Sequence, residues 1–418
     1  MFLGKTLYSH CLLDKGADPS LKDKFGRNLL HKASEGGNVT IIETMLSRGV
    51  DINSRDNDGD TPLMIGAFSG KMEAVNYLLD KGADPSLIGK FGRNSLHNAS
   101  FGGNVTIMET MLTRGQDINS RDSDNSTPLM IAALNGRMEA ANYLLDKGAD
   151  PSLKGKFGRN SLHNASEGGN VTIIETMLSR GLDINSRDID DNTALMIAAF
   201  YGKMEAVNYL LDKGADPSLK DKFGRNSLHS ASYCGNVTII ETMLSRGLDI
   251  NSSDVDNNTA LMIAALNGKM EAVNYLLDKG ADPSLKGKFG RNILHNASQG
   301  GNVTIIETML SRGHDINSRD NDGHTALMIA ALSGKNEAVN YLLDMGADPC
   351  LKGKFGRNSL HSASDGGNVI IIETMLSRGL DINSRDSDNN TALMIAALYG
   401  KMEAVNYLLD KGAKIHIE

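Results

Sequence analysis

A period of 33 residues runs through this chain and constrains its fold more than any other feature. From Gly155 to Lys220 the chain reads GKFGRNSLHNASEGGNVTIIETMLSRGLDINSR, then DIDDNTALMIAAFYGKMEAVNYLLDKGADPSLK. This 66-residue pair recurs with few changes from Asp23 to Glu418. Units start at Asp23, Asp56, Gly89, Asp122, Gly155, Asp188, Asp221, Asp254, Gly287, Asp320, Gly353 and Asp386. A fixed period of this length implies stacked copies of one supersecondary unit.

Each unit carries two short helical patterns. Leu195, Ala198 and Ala199 lie at helical spacing, and Gly202 stops that helix. Met204, Val207, Leu210 and Leu211 form a second apolar stripe, ended by Gly214. The sister unit repeats this with Leu162, Ala165 and Gly169, then Val171, Ile174, Met177, Leu178 and Gly181. A turn-rich Asp-Pro-Ser-Leu-Lys-(Gly/Asp)-Lys-Phe-Gly-Arg segment follows and suits a β-hairpin finger. Helices this short do not stand alone in water, so each pair must bury its stripe on the next. The expected class is an all-α repeat solenoid rather than a globule with a single core.

The Asp-x-x-Gly-x-Thr-Pro-Leu run of Asp56 to Leu63, the Leu-His-x-Ala of Leu30 to Ala33 and the Leu-Leu-Asp-Lys-Gly-Ala-Asp unit ends resemble the ankyrin repeat, whose period is also 33. The resemblance covers residues 23–418 as twelve consecutive repeats and, in truncated form, residues 1–22. It implies an elongated, curved array with a helix-turn-helix and a β-hairpin finger per repeat. At 8–10 Å between stacked helices, such an array runs on the order of 100–120 Å. Odd units carry Asn-Ser/Leu/Ile-Leu-His where the family has Thr-Pro-Leu-His. Even units keep Thr but place Met at the His position, as at Met196. Loop bracing by histidine is therefore expected in alternate units only.

Composition narrows the function. With 40% hydrophobic and 22% charged residues the chain is ordinary for a folded protein, and its formal charge of −8 disfavours nucleic acid as a general partner. No apolar run reaches the ~18 residues a membrane span needs, and Met1 to Asp18 lacks the apolar centre of a signal peptide. Cys11, Cys234 and Cys350 lie in unrelated units and form no disulfide framework. Cytoplasmic residence and a monomeric chain are expected, with sequons such as Asn170-Val171-Thr172 unused. Residues 1–22 read as the rear half of a unit, with Leu12 to Pro19 matching Leu210 to Pro217. Neither end shows a polar cap, which suggests a piece of a longer array.

No Gly-x-Ser-x-Gly, P-loop or Cys-x-x-Cys pattern occurs, so no catalytic, cofactor or metal set is expected. The six histidines at His31, His97, His163, His229, His295 and His361 recur two units apart, roughly 20 Å. Zinc needs nitrogens about 2.0–2.1 Å from one ion. They are read as loop braces.

The resemblance implies protein partners held at the finger tips and the exposed side of the first helices, at the second, third, fifth, thirteenth and fourteenth positions of each unit. Tip candidates are Phe91, Arg93, Phe157, Arg159, Phe223, Arg225, Phe289 and Arg291; groove candidates are Phe101, Phe200, Tyr201, Tyr233 and Tyr399. Aromatic and Arg side chains are common interface anchors. Two readings stay open for the tips: they grip a partner, or each Arg pairs with an Asp of the neighbouring finger, such as Asp58 or Asp124, while each Phe packs between fingers. The resemblance further marks Asn53, Asn119, Asn185, Asn251, Asn317 and Asn383 as candidates for asparagine hydroxylation, set against a turn-forming role. The function expected is a non-enzymatic interaction scaffold or adaptor without cofactor. The alternatives are the ankyrin arm of a channel, kinase, ubiquitin-ligase adaptor or cytoskeletal linker, and a nucleic-acid binder using the Lys-Phe-Gly-Arg tips.

Overall fold

The computed structural model describes Asp18 and residues 21–415. Most of the half-unit read at residues 1–22 therefore lies outside the described residues. The chain divides into two compact units, Met1–Asp216 and Pro217–Glu418. Among the described residues the first unit holds α1 (Leu29–Gly36) through α12 (Met204–Asp212), and the second holds α13 (Ser227–Cys234) through α24 (Met402–Asp410). Helices come in pairs, the odd-numbered one being the first of its repeat.

The fourth repeat shows why this sequence folds so. In α7 (Pro128–Leu134) the Thr127 hydroxyl accepts the Met130 N–H at 3.3 Å. Pro128 takes the first helical position, where its missing N–H goes unnoticed. Every residue from Pro128 to Ala133 is buried, and only Leu134 reaches solvent. Neighbours on all sides explain the absence of a polar face: α7 packs between α5 (Ser95–Gly102) and α9 (Ser161–Gly168) and on its own partner α8 (Met138–Asp146). Ala132 and Ala133 are fully buried, and their small side chains permit the close approach. In α8 the buried set is Ala140, Ala141, Leu144 and Leu145, at helical spacing. A Leu buried this way contributes about 1.5–3 kcal/mol.

Odd repeats use a different cap. Asn94 accepts the His97 N–H at 3.1 Å, and the Asn94 N–H donates to His97 Nδ1 at 3.3 Å, a reciprocal capping box. The other ring nitrogen faces the Ser120 carbonyl of its own repeat and the Ser126 carbonyl of the next, at 3.2 and 3.3 Å. Carbonyls only accept, so Nε2 carries a proton, and burial lowers the His97 pKa and so favours the neutral ring. The same nitrogen meets a carbonyl in His31, His163, His295 and His361; His229 Nε2 finds no hydrogen-bond partner. Bracing by histidine is thus what the odd repeats do: His31, His97, His163 and His295 reach a carbonyl of the next repeat, and His361 holds the Ser384 carbonyl of its own.

The second unit follows the same plan, with α15 (Ala260–Leu266) capped by Thr259 and packed between α13 and α17 (Ile293–Gly300). The fingers are tight turns rather than two-stranded ribbons. In one, the Asp122 N–H donates to the Ser126 carbonyl at 3.0 Å and the Asn125 N–H to the Asp122 carbonyl at 2.9 Å. The β-pairing among the described residues is a single antiparallel bridge, Ser253 to Thr259.

Candidate binding surface

Each even finger is built round a buried Asp at its first position. Asp122 Oδ1 accepts the N–H groups of Asp124 and Ser126 at 2.9 and 2.8 Å. That turns Oδ2 inward to meet Arg93 Nε of the preceding finger at 3.1 Å. The join recurs at Arg27–Asp56, Arg159–Asp188, Arg225–Asp254, Arg291–Asp320 and Arg357–Asp386, at 3.2 to 3.6 Å. The arginines therefore pair across fingers as one reading expected, but not with the third-position Asp. That residue pairs instead with the Lys of the following finger, as in Lys156–Asp124 at 2.9 Å and Lys288–Asp256 at 3.0 Å. The reason is directional: the turn's own N–H groups hold the first-position carboxylate inside, while the third-position side chain points to solvent. The backbone adds bonds between tips, with the Ser123 N–H on the Phe91 carbonyl at 2.8 Å and the Lys156 N–H on the Asp124 carbonyl at 2.7 Å.

The tip phenylalanines do not pack between fingers. Phe25, Phe91, Phe157, Phe223, Phe289 and Phe355 are 42–59% exposed. In five of the six, cations of the same finger cover one face: Lys156 Nζ lies 5.4 Å and Arg159 Cζ 5.9 Å from the Phe157 centroid, Lys288 and Arg291 sit likewise on Phe289, and Arg93 leans on Phe101 rather than on Phe91. Such contacts contribute about 0.5–1 kcal/mol at exposed sites.

At the ends of the first helices, Phe68, Leu134 and Phe200 in the first unit and Leu266, Leu332 and Leu398 in the second are exposed at one repeat position. Phe101 is half-buried against Phe68, with ring centroids 5.3 Å apart, and Phe200 meets Tyr201 edge-on at 5.2 Å. Tyr233 and Tyr399 are exposed. Cys234 is half-buried and Cys350 exposed. Asn53, Asn119, Asn185, Asn251, Asn317 and Asn383 each turn Oδ1 onto a backbone N–H of the next repeat at 2.9 to 3.0 Å, a structural use of the candidate hydroxylation residues.

Asp60 was not singled out from the sequence. It lines a cavity of about 240 Å³ with Phe68, Phe91 and Phe101. Burial, reinforced by the carboxylates of Asp56 and Asp58, pushes its pKa up to about 6 against the opposing pull of Arg27 and Arg93. A signal was present: at the same position the other even repeats carry Ser126, Asn192, Asn258, His324 and Asn390.

A family model described as ankyrin repeats, three copies to a match, fits residues 8–89, 84–155, 148–221, 195–287, 261–353 and 346–418. The chain belongs to the ankyrin repeat family. Ankyrin repeat domains are generally protein-binding modules and are typically non-catalytic. No curated relative matches the chain. Among its described residues no helix is long and apolar enough to cross a membrane.

Proposed function

We propose that this ankyrin chain is a non-enzymatic scaffold that binds partner proteins on the face formed by its finger tips and the ends of its first helices. The observation that carries the reading is the row of large apolar side chains, Phe68, Leu134 and Phe200 in one unit and Leu266, Leu332 and Leu398 in the other, left exposed at one repeat position. Apolar rows that the core does not use are typical of interaction sites. Phe91, Phe157, Phe223 and Phe289 would add anchors at the tips. Arg93, Arg159, Arg225 and Arg291 would serve mainly to hold those tips, since each already faces a buried carboxylate. The reading takes residues 23–418 as twelve repeats of one array, on the ground of the unbroken 33-residue register. It also takes a reducing cytoplasm as the working compartment.

The repeats supply their own control. Phe200→Leu, Tyr201→Asn, Tyr233→Gln and Tyr399→Asn each install a residue found at the same position of a sister copy, namely Leu134, Asn135, Gln299 and Asn267. The fold is expected to tolerate them. In capture from native lysate, quantified by mass spectrometry, the quadruple variant should lose at least tenfold of the partners the wild type retains, with its circular dichroism unchanged. Equal capture by the wild type, by this variant and by a second one carrying Leu266→Ser, Leu332→Ser and Leu398→Ser would move binding off this face.

A further inference from the structure

The Asp60 cavity differs from the rest of the surface in its charge. Arg27 is held by Asp56 at 3.3 Å and lies 3.8 Å from Glu35. Arg93 is held by Asp122 at 3.1 Å and leans on the Phe101 ring, 6.0 Å from its centroid. Asp60 is anchored by its backbone, its N–H on Asp56 Oδ1 at 2.9 Å and its carbonyl on His31 Nε2 at 3.2 Å. Its side-chain carboxylate has no hydrogen bond or ion pair among the described residues. The fold does not need that charge, because sister repeats place Asn192, Asn258 and Asn390 there. Phe101 is equally particular: its sister positions hold Glu35, Glu167, Tyr233, Gln299 and Asp365. Asp60, Phe68 and Phe101 thus come together in one repeat pair only.

We propose that this cavity binds the guanidinium of an arginine side chain presented by a partner protein. Phenyl faces attract a cation, and a carboxylate without partners can take a guanidinium N–H pair in a charge-assisted contact. Guanidinium is planar and more weakly hydrated than ammonium, so it is the cation suited to aromatic walls beside one carboxylate. Arg27 and Arg93 oppose it little, each being neutralised by its own buried Asp. The proposal rests on the protein-binding reading and names one subsite of that surface.

Binding an arginine draws the proton from Asp60, so affinity must fall as the pH drops through about 6. The other charged or titratable groups at this site are Glu35, Asp56, Asp58, Arg27, Arg93 and His31, whose pKa burial lowers.

The test is a titration of the full chain, ¹³C-labelled at its methionine methyls, with N-acetyl-arginine amide. Met64 lines the cavity and reports it, assigned by Met64→Leu. The wild type should show a saturable Met64 shift at pH 7.5 that weakens at least threefold at pH 5.0. Asp60→Asn and Phe101→Gln, each installing the residue of a sister repeat, should each weaken it about tenfold, and N-acetyl-citrulline amide, equal in shape but uncharged, should bind at least tenfold more weakly. No saturable shift, unchanged affinity in Asp60→Asn, or citrulline binding equal to arginine would overturn the site. N-acetyl-lysine amide binding as tightly as arginine would overturn the guanidinium assignment. The quadruple variant used for capture leaves this cavity intact, so failure here and failure of the wider reading are separable.

Discussion

Acidification from pH 7.5 to 5.0 is expected to remove several kcal/mol of stability, through the buried histidines. Burial holds His163 and His229 at pKa about 4, and lowers His31, His97, His295 and His361 in the same direction. Each ring takes a backbone N–H on Nδ1 and lies 2.6–2.7 Å from the capping Asn Oδ1, and five donate from Nε2 to a carbonyl; burial favours the neutral ring in that setting. The unfolded chain binds these protons from about pH 6.5 downward, the folded chain only at lower pH, about 4 for His163 and His229. The stabilisation is therefore complete above 6.5 and lost as the pH falls. At pH 5.0 the loss is roughly 2 kcal/mol for each of His163 and His229. Asp60 acts the other way, because its raised pKa restores about 1 kcal/mol as it is protonated. The urea midpoint should drop sharply between pH 7.5 and 5.0. His163→Gln, which keeps a side chain able to complete the capping box, should flatten the profile by about 2 kcal/mol over that interval. A midpoint that does not move would refute the account of the rings.

Asp122→Ala should be the most damaging single change in the fingers. It strips two N–H groups of their acceptor and leaves Arg93 facing a vacated, nearly solvent-free carboxylate site. Removing one partner from a buried network of this kind costs about 3–5 kcal/mol. Arg93 is one-third exposed, which lowers the expectation to about 2–4 kcal/mol. Asp122→Asn keeps an oxygen for the turn and loses only the charge, so about 1 kcal/mol is expected. Urea unfolding of the two variants measures the difference; equal effects would mean the turn bonds do not matter.

The same residues show what was legible from sequence. Helix pairs follow from alternating stripes and glycine stops, and histidine bracing from the alternation of Asn-x-x-His with Thr-x-x-Met. The partner of each Arg was not legible. Two aspartates stand two residues apart in every even finger, and only the turn's own hydrogen bonds decide which one faces inward. The exposure of the tip rings was likewise undecided, since Lys-Phe-Gly-Arg reads equally well with Phe wedged between fingers or lying under its own cations. Asp60 was hidden for a different reason. Its meaning comes from Phe68 nearby and from Phe91 and Phe101 in the next repeat, a grouping created by stacking across 33 residues.

If neighbouring repeats supply one another's interior, damage at one junction must spread outward and fade. Hydrogen exchange of the Asp122→Ala protein, followed by mass spectrometry, tests this directly. Protection should fall most in residues 89–155, less in the repeats beyond, and not measurably in residues 326–377. Equal loss of protection along the whole chain would contradict it.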